Sequence, residues 1–209
     1  MATRVFVFGA SGHAKVVVDS FERMTGFPVA FIVDDAKQKN GSAICGYRVI
    51  GGRDALLARR GEVDAGIVAI GDNRARAAIA DWLAAQGFTL VSAIHPGAAI
   101  ARDVSIGAGA AVMAGTVINT EARIGQHAII NTGATVDHDC VIGDCVHVAP
   151  GCHLCGGVSV GAGTLLGAGT TVRPGVRIGK NVTVGAGSTV LQDIPDGAQV
   201  AGSPCRPIS

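Results

Sequence analysis

From Ile94 onward every sixth residue is aliphatic. The series Ile94, Ile100, Ile106, Val112 continues without a break to Val190, seventeen positions that are all Ile, Leu or Val. Four places after each stands a small or modest residue, among them Ala110, Thr116, Ala134, Cys140 and Cys152. Three places after it, ten of sixteen residues are glycine. A period of six matches neither the 3.6 of an α-helix nor the 2 of an ordinary strand; it fits a coil of short strands joined by tight corners. The aliphatic residue then points inward and stacks on its copies in neighbouring coils, forming a core that no single turn could bury alone. The small residue fills the corner, and the glycine-rich position calls for the positive φ that glycine adopts cheaply.

The chain before this repeat is built differently. All eight aromatic residues precede position 90 (Phe6, Phe8, Phe21, Phe27, Phe31, Tyr47, Trp82 and Phe88), and none follows. The narrow interior of a six-residue coil explains their absence there. The first part alternates strands and helices: a strand at Val5–Phe8, a glycine turn, a helix over 13–24 and a strand at Val29–Val33. A short helix over 53–60, a strand over 66–70, a helix over 73–86 and a strand over 89–91 follow. This order predicts a small parallel, Rossmann-like sheet over residues 1–92, followed by the repeat domain over 93–209.

Composition excludes several classes. Glycine, 31 of 209 residues, shows no three-residue period, and proline is only 7, so neither collagen nor a disordered Pro/Gly-rich chain fits. A formal net charge of +1 gives no general attraction to nucleic acid or to an anionic membrane. Residues 145–172 carry no formal charge, but seven glycines and the six-residue period exclude a membrane span. The six cysteines have neither an export signal nor paired CxxC spacing, so free thiols in the cytoplasm are expected and no metal site is.

Several residues carry chemistry. His138 stands two places after Val136 at a corner and should project outward, beside the carboxylate of Asp139. That is the composition of a general base with an orienting partner, although Asp139 also occupies the glycine-favoured corner and could be a turn former alone. The turn Gly9-Ala10-Ser11-Gly12-His13 could offer backbone N–H groups to a diphosphate, or be a plain tight turn. Asp34 and Asp35 end the second strand, where a carboxylate could meet a ribose or base, or simply solvate a turn. His127 and His153 are outward repeat positions expected at the surface. Cys140 and Cys152 read as core fillers, and Cys145 and Cys155 as outward thiols.

The repeat resembles the hexapeptide-repeat acyltransferases, left-handed parallel β-helices with three hexapeptides per 18-residue coil. VFVFGASGHAKVVVDS, FIVDD, VAIGDNRAR, INTGATVDHDCVIGDCVHVAPG and AGSPCRPIS occur in order. Together they are similar to the bacterial sugar O-acyltransferase family associated with sialic-acid O-acetylation, nearest its branch that N-acetylates nucleotide-linked 4-aminosugars (UDP- or GDP-linked). The resemblance implies acetyl-CoA as cosubstrate and no bound cofactor. It implies that Ser11, Gly12, His13, Asp34, Asp35, Gly71 and Asn73 line a nucleotide-sugar pocket. His138 and Asp139 would be catalytic, with Asp where some members have Glu. His147, Gly156, Ala168 and Ala186 would contact acetyl-CoA. His147 lies nine residues after His138, half of an 18-residue coil, so one site using both needs adjacent subunits, in keeping with the family's trimer. Alternatives are O-acetylation of sialic acid or another surface sugar, and a non-catalytic hexapeptide scaffold.

Overall fold

The computed structural model describes residues 2–208. It divides into two compact units, Met1–Pro96 and Gly97–Ser209.

In the first unit, strands β1 (Val5–Phe8), β2 (Val29–Val33), β5 (Ala65–Val68) and β6 (Thr89–Leu90) form a parallel sheet in the order β2-β1-β5-β6. Both faces of β1 are covered, which is why its four residues are all apolar and essentially inaccessible. Helix α1 (Gly12–Arg23) buries Ala14, Val17, Val18 and Phe21, a stripe at helical spacing. Helix α3 (Asn73–Ala85) inserts Ile79, Ala80 and Leu83 into a cluster with Phe6, Phe8 and Phe88. Phe6 and Phe88 meet edge to face at 5.2 Å. Helix α2 (Arg53–Ala58) stops two residues earlier than the sequence predicts, and a short 3-10 turn, Arg60–Glu62, follows. The hairpin of β3 (Ala43–Ile44) and β4 (Tyr47–Arg48) was not foreseen, because two-residue strands carry no readable period. Its turn places Cys45 at φ 48° and Gly46 at φ 83°.

The second unit is a left-handed β-helix of two-residue strands stacked in parallel at 18-residue intervals, such as Ala111 on Ile129 and Ile129 on His147. Three faces result. The first carries the strands at 111–112, 129–130, 147–148, 165–166 and 183–184; the second those at 117–118, 135–136, 153–154 and 171–172; the third those at 123–124, 141–142, 159–160 and 177–178. From Val112 to Val190 the sixth-residue aliphatics are at most 4% exposed, and the small residues between them are equally buried. Each buried aliphatic side chain contributes roughly 1.5–3 kcal/mol relative to exposure. The first coil departs from the pattern: Ile100 is 37% exposed, because an end coil has a stacked neighbour on one side only. Buried hydroxyls are satisfied locally, as where Thr170 Oγ1 donates to the Gly167 carbonyl at 2.6 Å.

Every corner residue from Asp103 to Gly187 at the glycine-rich position has positive φ. Six are not glycine: Asp103, Glu121, His127, Asp139, Cys145 and Asn181. Asn and Asp tolerate this conformation, whereas Glu121, His127 and Cys145 are held there by the stack on either side. A second glycine position follows the aliphatic on the third face. A Cβ at Gly143 would lie 2.7 Å from the Ala162 amide nitrogen of the next coil, so only glycine allows the coils to close. Cys145 departs from the outward placement expected of it: its corner tucks the thiol in, leaving 9% exposed. His127 is likewise half-buried rather than at the surface, its ring lying where a Cβ on Gly109 would otherwise stand.

Candidate active site

His138 sits on the edge between the second and third faces, between the strands at 135–136 and 141–142. Its side chain is 57% exposed, outside the aliphatic stack. Nδ1 lies 2.7 Å from Oδ2 of Asp139. A carboxylate accepts, so in the neutral ring Nδ1 carries the proton and Nε2 keeps its lone pair. The left-handed backbone of Asp139, φ 59°, is what turns its carboxylate toward the preceding imidazole, so corner former and histidine partner are one residue. The hydrogen bond to Asp139, with the negative charge of Asp137 behind it, raises the His138 pKa above its ordinary value.

Asp137 does not touch the ring. Its Oδ1 accepts from the backbone N–H of His138 and from Nδ2 of Asn119, both at 2.8 Å. The bond from Asn119, then that from the His138 amide, holds the Asp137 carboxyl below its usual range. Asn119 stands one coil before Asp137, and that 18-residue spacing was the sequence signal that could have found the pair. Gly156 stands one coil after His138. A Cβ there would lie 2.5 Å from Cε1 of the imidazole, so Gly156 makes room for the histidine. In this chain its neighbour is therefore the proposed base.

His147 lies on the first face, away from His138's edge, half-buried. Its Nε2 is 3.1 Å from Nδ2 of Asn131. The Asn131 amide is oriented by its own Oδ1, which accepts from the Thr132 N–H at 2.8 Å. Nδ2 must therefore donate to Nε2, which places the His147 proton on Nδ1. Asn131 precedes His147 by 16 residues, off the 18-residue register, so spacing gave no hint of it. Ala168 and Ala186 are exposed and one coil apart on the edge between the first and second faces, beside the face of His147. A single prism thus carries two groups: His138, Asp139 and Gly156 on one edge, and His147, Ala168 and Ala186 around another. His153 is exposed on the second face, with Nδ1 3.0 Å from Thr135 Oγ1. Among the described residues no three or more His, Cys, Asp or Glu side chains are grouped to hold a metal ion. Burial pushes the Cys140 thiol up to about 11, so it is an inert filler of the core.

In the first unit, Gly9–Ser11, Asp34–Asp35 and Gly71–Asn73 all follow the carboxyl ends of parallel strands. The sheet order changes direction between β1 and β5, where open α/β sheets bind ligands. Ser11 and Gly12 open α1 in exposed positions, and no side-chain bond caps this helix N-terminus. Both aspartates have partners within the unit. Asp34 is engaged internally: it accepts from Ala10 N at 2.7 Å, Ala36 N at 2.9 Å and Lys39 Nζ at 2.8 Å. Burial raises its pKa, but the bonds from Lys39, Ala36 and Ala10 outweigh that and leave it lowered. It thereby fixes the glycine turn. Asp35 accepts from the Arg53 amide at 3.2 Å and from its Nε at 3.1 Å, anchoring the start of α2. The Arg53 guanidinium lies 4.9 Å from the Trp82 ring centroid. Asn73 binds Arg76 through its side-chain oxygen at 2.8 Å, and sequence reasoning missed Arg76, a 1% exposed cation.

A prism of hexapeptide coils with an outward histidine–carboxylate pair defines a hexapeptide-repeat acyltransferase. Residues 4–83 match the PglD N-terminal domain family, and residues 157–192 match the bacterial transferase hexapeptide (six repeats). No curated protein sequence matches the chain. One similar solved structure is a histidine-to-asparagine mutant of perosamine N-acetyltransferase from Caulobacter crescentus, in complex with CoA and GDP-perosamine. It is 44% identical, with TM-score 0.94, over 98% of this chain and 96% of that one. The acetyltransferase domain of PglB from Neisseria gonorrhoeae, in complex with acetyl coenzyme A, is 37% identical with TM-score 0.92, over 100% of both chains. WeeI from Acinetobacter baumannii is 26% identical with TM-score 0.73, over 99% of this chain and 100% of that one. The chain belongs to the hexapeptide-repeat sugar acyltransferase family, on the branch that includes perosamine N-acetyltransferase and the PglB acetyltransferase domain.

Proposed function

We propose that the protein transfers the acetyl group of acetyl-CoA to the 4-amino group of a nucleotide-linked deoxyamino sugar, with GDP-perosamine the first acceptor to test. The observation that carries this is the relative that aligns over nearly the whole chain and holds both CoA and GDP-perosamine. The first unit binds the nucleotide at the carboxyl ends of its strands, and the prism binds acetyl-CoA. His138 Nε2 removes the proton as the amine nitrogen attacks the thioester carbonyl. The tetrahedral intermediate collapses, the C–S bond breaks, and the His138 imidazolium returns the proton to the departing CoA thiolate. Asp139 holds the imidazole in the reactive tautomer and stabilises its charged form. His147 Nδ1–H is a suitable donor to the developing oxyanion. No covalent enzyme intermediate is required.

We further infer a homotrimer. The separation of the His138 edge from the His147 face supports a site completed by two prisms, with CoA lying along Ala168 and Ala186 of one of them. Among the described residues no helix is long and apolar enough to cross a membrane, and the free cysteines accord with a cytoplasmic setting. The decisive experiment is a mass-spectrometric screen of GDP- and UDP-linked 4-aminosugars with acetyl-CoA. A product heavier by one acetyl group supports the reading, and no acetylation of any 4-aminosugar overturns it.

A further inference from the structure

Arg76 is one of the largest fully buried side chains among the described residues, and its guanidinium holds the loop that follows β5. Nη1 donates to the Ile70 carbonyl at 2.9 Å and the Gly71 carbonyl at 3.0 Å, while Nη2 donates to Oδ1 of Asn73 at 2.8 Å. These acceptors follow β5 at the point where the sheet order reverses. In a trans peptide the C=O of one residue and the N–H of the next point in opposite directions. Drawing the Ile70 and Gly71 carbonyls onto a buried cation therefore turns the N–H groups of Gly71 and Asp72 away from it. Two successive N–H groups turned to one side can donate together to one anion. The side-chain position of Gly71 is open, for a Cβ built there meets no atom within 4 Å. Asp72 is exposed, and its carboxylate is drawn back onto the Ala75 N–H at 2.8 Å.

We infer that Arg76 is a positioning residue for the acceptor, aiming the Gly71 and Asp72 N–H groups at the diphosphate of the nucleotide. This rests on the proposed function for the identity of the ligand, although a nucleoside diphosphate alone suffices to test it. A fixed fork of donors is needed to hold two carbonyls and a side-chain oxygen at once; lysine supplies the charge without the fork. The chemistry stays with the second unit, so the effect belongs on acceptor binding and not on turnover.

The test compares the wild-type protein with Arg76→Lys and Arg76→Met. Calorimetry measures GDP and UDP binding; kinetics give KM for each substrate and kcat; thermal melting reports the fold. Arg76→Met should weaken binding of the preferred nucleoside diphosphate, and raise acceptor KM, by about tenfold or more. Acetyl-CoA KM and kcat should stay within about twofold. Arg76→Lys should fall between, and serves alone if the Met variant does not fold. Lowered melting temperatures with unchanged nucleotide affinity would overturn the proposal and leave Arg76 a structural cation. So would a wild-type protein that binds neither GDP nor UDP. A wild-type protein that binds GDP in an Arg76-dependent way yet acetylates no aminosugar would uphold this inference and overturn the proposed reaction.

Discussion

At the scale of the residue, His138 has a shape that separates function from stability. Its ring lies outside the stack, so His138→Ala should melt within a few degrees of the wild type. Loss of a general base removes ~10²–10⁴-fold of rate, and kcat should fall accordingly in a CoA-release assay with acetyl-CoA KM little changed. A kcat above about a third of wild type at pH 7 would reduce His138 to a positioning group, far short of a base's contribution. The pH dependence follows from its partners. The base works only when neutral, and Asp139 and Asp137 raise its pKa. Activity should therefore be lost as pH falls through a value above the ordinary ~6.5 of histidine. In Asp139→Asn the hydrogen bond survives but one negative charge goes, so the acid limb of kcat/KM should move to lower pH. A limb that stays in place would show that Asp139 serves the corner alone. The thiols offer a simpler check: iodoacetamide followed by mass spectrometry should label exposed Cys45, while Cys140 and Cys152 react only after unfolding.

At the scale of the element, one corner both shapes the fold and carries the proposed base. The edge that carries His138 stacks Thr120, His138, Gly156 and Pro174 at 18-residue steps, and Gly156 leaves the slot that the imidazole occupies. Gly156 is not held at positive φ, so Gly156→Ala is tolerable to the backbone. Its methyl group would displace the exposed ring, and kcat should drop by about tenfold or more, toward the loss of the base itself, without a matching fall in melting temperature. Equal losses of both would mean that the glycine is needed for the coil. The repeat was legible because inward aliphatics, small corner residues and positive-φ positions each leave a period in the sequence. The internal partners of Asp34 and Asp35 were not legible, because proximity to a strand end shows where a side chain starts, not which amides it meets. Arg76 was invisible for a related reason: a buried cation on a helix is spelled like a surface one, and only the returning 70–73 loop distinguishes them.

At the scale of the whole molecule, the distribution of candidate residues around one prism forces a choice. His138 with Asp139 occupies the edge between the second and third faces, while His147 lies on the first face. Both can serve one reaction only if two chains approach with different surfaces, a heterologous contact that must close into a ring to avoid open polymers. A trimer is the closure proposed here, and light scattering should give about three times the 20.9 kDa chain mass. The sharper test is complementation. His138→Ala and His147→Ala homotrimers should each be severely impaired. After joint unfolding and refolding of an equimolar mixture, an active site needs an intact His138 from one subunit and an intact His147 from its neighbour. Random assembly into cyclic trimers meets that condition at about one interface in four, so specific activity should recover to roughly a quarter of the wild-type value. If each chain built its site alone, no mixture could restore it, because every chain would still lack one histidine. Activity of the mixture no higher than the mean of its two impaired parents would therefore overturn the shared site, and a His147→Ala trimer of near wild-type activity would remove His147 from the reaction.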